Sequence, residues 1–218
     1  ADDFKREYVV PRMMEFFSDF EYKPTHSLQP ATIREIKLFN YGDSIYTDEL
    51  IQGRYRGCSF IMGNVKCTQT NRGSDGQYHV STVFNGRLII IGTSVIRNGE
   101  VTIKPKEFLP SFLKRGQKLE YNHSICDKYE IRGSDYIELP KYLLDHIENF
   151  GTIFKKYKFY YKIVNDRIYL AINHIGKLYD VGNCKNNSIE EIDEIIKKDS
   201  VYFTNLISLI LDANKMEV

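Results

Sequence analysis

From about residue 49 to residue 104 the side chains follow a period of two, and Gly-containing breaks divide the run into short lengths. An α-helix does not accommodate that alternation, because positions on one helical face lie three and four residues apart. Residues 49–56 and 59–68 read as strands joined at Gly57, and 71–76 (Asn-Arg-Gly-Ser-Asp-Gly) as a polar loop. Residues 77–84 and 87–93 then flank Asn85-Gly86. Asn-Gly between β-rich runs is a strong hairpin signal, since a type I′ turn needs positive φ at both central positions. Asn98-Gly99 repeats the device ahead of 101–104, so the segment predicts an antiparallel meander. Further strands are predicted over 128–132, over 158–164 and 167–173 as a hairpin about Asn165-Asp166, and over 177–181.

Helical spacing surrounds this β-rich middle. Phe4, Tyr8, Met13, Phe16, Phe17 and Phe20 predict a helix over 4–20, opened or kinked at Pro11. A short helix follows Ser27, a helical turn fits 110–113, and a Pro-led helix covers 140–150 with Gly151 just past its end. Ser188-x-x-Glu191 is a capping box. Behind it Ile189, Ile192, Ile195, Ile196, Phe203, Leu206, Ile207 and Ile210 make one stripe, predicting a helix to about 212 with a break near Ser200 allowed. Hairpins with separated helices define the α+β class. The expected architecture is an antiparallel meander of six to eight strands, or a small partly open barrel of pleckstrin-homology type. It carries an N-terminal helical arm (1–21) on a single α+β domain (22–218), one Pro-led helix and a long C-terminal amphipathic helix.

Composition narrows the function classes. The 218 residues hold 30 Lys and Arg against 29 Asp and Glu, which excludes the bulk basicity of a nucleic-acid coat. Sixteen Tyr and 13 Phe supply a core without Trp. The four Cys form no C-x-x-C pair, as in a reducing, cytoplasmic compartment. No apolar run is long enough to span a bilayer. The start Ala1-Asp2-Asp3 has neither secretory signal nor initiator Met and fits a processed or excised chain.

Chemical motifs are sparse. Neither G-x-G-x-x-G nor G-x-x-x-x-G-K-[ST] occurs, so no nucleotide cofactor is expected. His123-x-x-Cys126 is one close ligand pair where zinc ordinarily takes two, so no metal is expected. Ser111-x-x-Lys114 lacks the partners that give S-x-x-K meaning, and the five His are scattered. No catalytic residues are assigned. An enzyme remains the alternative reading if the fold gathers two or more of Asp43, His79, Cys126, Asp135 and His174 in one pocket.

The segment 154–162, Phe-Lys-Lys-Tyr-Lys-Phe-Tyr-Tyr-Lys, holds four Lys and five rings without an acid. A half-buried strand with inward rings and outward Lys accounts for it most simply. As a binding surface its candidates are Lys155, Lys156, Tyr157, Lys158, Tyr160 and Lys162. Lys with Tyr suits an anionic membrane surface, and rings beside cations suit single-stranded nucleic acid, the less favoured partner. Residues 188–218 carry a net charge of −4 and the rest +5, so the acidic helix offers a cover for the basic tract within one molecule.

Four stretches resemble one bacterial family. Asp48-Glu49-Leu50-Ile51-x-Gly53-x-Tyr55-x-Gly57-x-x-Phe60 is similar to the opening of the domain of unknown function family 3137. Val83-Phe84-Asn85-Gly86-Arg87-Leu88-Ile89-Ile90 is similar to its Val-Phe-x-Gly element. Tyr129-Glu130-Ile131-Arg132-Gly133-Ser134-Asp135 with Leu139-Pro140-x-x-Leu143-Leu144 resembles its strand, turn and Pro-led helix. Phe159-Tyr160-Tyr161 with 168–172 resembles its closing hairpin. The resemblance covers about residues 20–181 and implies a soluble domain beside membrane-spanning helices, with no established activity or catalytic residue to transfer. The sequence therefore predicts a non-enzymatic binding or interaction module, at the cytoplasmic face of a membrane, whose partner is an anionic membrane surface or another protein.

Overall fold

The computed structural model describes residue 3 and residues 5–74, 76–106, 116–133, 139, 141–153, 157–173 and 188–215. The fold is α+β, and the described residues form an open antiparallel sheet of seven strands with helices packed on it. A π-helical turn, Lys5–Val9, runs into α1 (Val10–Met13), where Pro11 occupies the first turn. The helix predicted over 4–20 stops there. Ser18–Lys23 is instead β1, an edge strand pairing antiparallel with β2 (Ser44–Tyr55). Phe17 and Phe20 are buried all the same, so core burial and not helical continuity explains their spacing. Between β1 and β2 lies α2 (Pro30–Ile36), with Pro at its start and Lys37 in the left-handed region at its end.

β2 and β3 (Cys58–Arg72) form the predicted hairpin, turning through Arg56 and Gly57, both at positive φ (49° and 82°). The next expectation fails. β4 (Tyr78–Pro105) runs straight through Asn85-Gly86 as one strand of 28 residues. Gly86 pairs with Val65 on one side and Asn173 on the other, and its φ is not positive. Glycine is required there for proximity: a Cβ would stand 1.9 Å from the carbonyl oxygen of Ile172. Asn98-Gly99 and Asn165-Asp166 are not hairpin turns either. β7 (Lys158–Asn173) is continuous and pairs with β4 on both sides of an irregular stretch, where Gly99 (φ 99°) and Asn165 (φ 53°) take up the register shift.

β4 therefore organises the sheet. β3 lies along residues 78–91 of one edge and β6 (Tyr129–Gly133) along 101–105 of the same edge, while β7 follows the opposite edge. β5 (Gln117–Leu119) completes the sheet outside β6. The remaining helices are α3 (Ile125–Lys128), α4 (Lys141–Ile153) and α5 (Ile189–Lys215). The segments expected at 110–113 and 177–181 lie outside the described residues.

Alternation along the strands builds two cores. Phe60, Met62, Ile89 and Ile91 face Met13, Leu144, Ile196 and Phe203, from α1, α4 and α5. Phe60 meets the rings of Phe17 and Phe203 edge-on, at 5.2 and 5.1 Å between centroids. On the other face Val65, Cys67, Phe84, Leu88 and Ala171 lie beneath Ile33 and Ile36 of α2 and the following Leu38 and Phe39. The Phe39 and Phe84 rings stack at 3.9 Å.

The capping box of α5 forms as predicted: Ser188 N–H donates to Glu191 Oε2 (2.9 Å) and Glu191 N–H to Ser188 Oγ (3.2 Å). α5 is unbroken at Ser200, whose buried hydroxyl donates to the Ile196 carbonyl. α4 continues through Gly151 rather than stopping before it; a Cβ there would lie 2.8 Å from the Tyr129 hydroxyl. Among the described residues no helix is long and apolar enough to cross a membrane.

Candidate functional site

β7 carries residues 158–162 of the basic-aromatic tract, and both of its faces are covered there. Phe159 and Tyr161 enter the core under α5, while Tyr160 packs in the core under α2. Lys162 is also buried: its Nζ donates to the Ile36 carbonyl at 3.0 Å and pairs with Glu100 at 2.9 Å. The period-two reading sent this Lys outward. It points inward because the end of α2 supplies carbonyl acceptors for it. Of the six candidate residues, Tyr160 and Lys162 thus serve the interior, Tyr157 and Lys158 are half-buried, and Lys155 and Lys156 lie outside the described residues. Nor do the acids of α5 that are seen in ion pairs meet this tract. Asp193 pairs with Arg12 and Asp212 with Arg56, tying the helix to α1 and to the β2–β3 turn.

Lys104, on the neighbouring strand, is buried beside Lys162 and donates to the Lys37 carbonyl at 3.1 Å. Burial, reinforced by the Lys162 charge, lowers its pKa to about 8. Burial under α2 also pushes the Cys67 thiol up to about 12.

Of the residues held in reserve for an enzyme three are described: Asp43 and His79 adjoin Thr70 and Asn71 of β3, and Cys126 lies on α3. The Asp43 carboxylate accepts from the Thr70 amide (2.7 Å) and fixes the entry to β2. His79 is exposed near the start of β4, and Cys126 is half-buried on α3. Asp135 and His174 lie outside the described residues. His123, three residues before Cys126, has both ring nitrogens engaged: Nε2 lies 2.9 Å from Asp145 Oδ1, and Nδ1 accepts from the Ile125 amide at 3.0 Å. Among the described residues no three His, Cys, Asp or Glu gather as a metal site.

Sequence reasoning missed a polar network built around one buried arginine. Arg87 is 3% exposed and donates to Asn64 Oδ1; Asn64 Nδ2 donates to Asp48 Oδ1 (2.7 Å) and Glu49 Oε2 (3.0 Å). Glu49 sits at a β-bulge with φ 52°, which turns its carboxylate toward Lys5 and the Tyr22 hydroxyl. The adjacent acids Asp48-Glu49 were the available signal, but nothing in the sequence links them to Arg87. The network fastens the N-terminal turn to the sheet.

Among the described residues, the most exposed apolar side chains lie elsewhere. β2 pairs with β3 only as far as Thr68, and the described part of β7, which ends at Asn173, reaches Gly86 of β4. Among the described residues, 68–72 and 78–82 continue beyond those points as a two-stranded ribbon. Tyr78 is 73% and Val80 67% exposed. They alternate onto one face of the ribbon, opposite Arg72 and Thr70 respectively. A cleft of about 570 Å3 lies between α1 and α5, lined by Phe16 and Ile196 among others and bridged by the Arg12–Asp193 pair.

Fold and surface together define an α+β domain with a projecting, partly apolar ribbon. No family model matches the chain, and no curated protein matches it. Among solved structures, the crystal structure of the mycobacterial trehalose monomycolate transport factor A is similar at a TM-score of 0.36 and 9% identity, over 92% of this chain and 95% of that one. A likeness at that level carries no inference about activity.

Proposed function

We propose that the chain is a non-enzymatic binding module that meets a partner protein through the β3–β4 ribbon. One observation carries the reading: Tyr78 and Val80 stand side by side in solvent on a ribbon that runs past the end of β2, with Arg72 across from the Tyr. Tyr and Arg are the residue types that anchor interfaces, and paired apolar exposure of this kind gains free energy when a partner covers it. A photo-crosslinking residue at position 78, in the cells that make the protein, tests it. The expected result is one discrete protein adduct, identified by mass spectrometry and lost in Val80→Ser. No adduct, or adducts indifferent to Val80→Ser, contradicts it.

A second reading rests on Tyr157 and Lys158, half-buried at the start of β7 and continuous in sequence with Lys155 and Lys156. In it the module attaches to the anionic cytoplasmic face of a membrane, as the resemblance to family 3137 implies. Flotation with phosphatidylserine vesicles at low salt tests it. Binding lost on joint replacement of Lys155, Lys156 and Lys158 by Ser supports it, and no flotation removes it.

A further inference from the structure

We propose that Lys104 and Lys162 form a proton-linked seat for α2, which closes more firmly over its face of the sheet once Lys104 has released its proton. The two side chains project from adjacent strands, β4 and β7, and are 4% and 7% exposed. Both reach the same place, the end of α2, where Lys162 holds the Ile36 carbonyl and Lys104 the Lys37 carbonyl. Lys37, at φ 55°, ends the helix there.

The charge balance of the seat is uneven. From β7 the group facing Lys104 is Lys162; from β4 itself, Glu100; from β6, Glu130 and Arg132; from α2, carbonyl oxygen. Glu100 is bonded to Lys162, and Glu130 to Arg132. Among the described residues no carboxylate is bonded to Lys104, so its ammonium form sits out of water beside a second ammonium. A neutral amine still has an N–H for the Lys37 oxygen, so discharge keeps the hydrogen bond and removes the repulsion.

Lifting α2 returns Lys104 to water, where it takes up a proton. Opening therefore binds a proton and becomes easier as pH falls. What it uncovers is apolar: Val65, Cys67, Phe84, Leu88 and Ala171. The inference is independent of the ribbon, which is built from the opposite end of β4.

Amide hydrogen exchange of the whole chain tests it, in a Cys67→Ala background so that the thiol beneath α2 does not titrate. Exchange of residues 33–36 is followed from pH 7 to pH 9, corrected for intrinsic rates, with 88–91 in β4 reporting global unfolding. A site that titrates at about 8 when closed and at its ordinary 10.5 when open lowers the opening constant of α2 by roughly tenfold across that range. Lys104→Arg, charged throughout, is expected to be flat and open; Lys104→Met flat and closed. If Lys104→Met does not fold, Lys104→Arg still decides. A flat wild-type profile, a pH step that persists in Lys104→Arg, or exchange of α2 only together with β4 would overturn the proposal.

Discussion

A group taken out of water titrates in whichever direction keeps it neutral, and two residues here pull stability opposite ways. Lys104 falls from 10.5 to about 8 in the fold, so between those values the unfolded chain holds one more proton and stability rises with pH. Cys67 climbs from 9.0 to about 12, so between those values the folded chain holds the extra proton and stability falls. Each acts with a slope of up to about 1.4 kcal/mol per pH unit. Their sum predicts a rise from pH 8 to 9, near-cancellation up to 10.5 and a decline above that. Burial of Tyr129, whose pKa is also raised, steepens the decline. Urea titrations at stepped pH check this: Lys104→Met should abolish the rise and Cys67→Ala should soften the decline. A fall in wild-type stability between pH 8 and 9 would contradict the assignment.

At the scale of the element, β4 shows what a local pattern conveys and where it misleads. Arg56-Gly57 and Asn85-Gly86 both look like turns, and only the first is one. Glycine meets two different demands, a positive φ and the close approach of another backbone, and a sequence does not say which. At Gly86 the demand is proximity to Ile172. Gly86→Ala is therefore expected to destabilise the protein by about 3 kcal/mol, through clash rather than φ strain. A change under about 0.5 kcal/mol in chemical denaturation would mean that β7 does not pass there. The α5 cap was legible because its hydrogen bonds close within four residues. The helix expected over 4–20 was not, because pairing with β2, some thirty residues away, claims Ser18–Lys23.

For the whole molecule, the α+β class and the open antiparallel sheet were readable from alternation, and the burial of opposite faces was not. Period two says that a strand has two faces, but not that α2 covers the second. For that reason Lys162 read as a surface cation and is an interior one. The ribbon was half legible: its polar loop was plain, whereas the exposure of Tyr78 and Val80 depends on where β2 stops pairing. Everything described here turns on β4 as one strand, projecting as a ribbon at one end and bearing Lys104 near the other. Amide exchange at Gly86 and Arg87 tests that most directly. A central strand bonded on both edges predicts protection equal to that of residues 88–91. Exchange at the rate of the Arg56-Gly57 turn would contradict it.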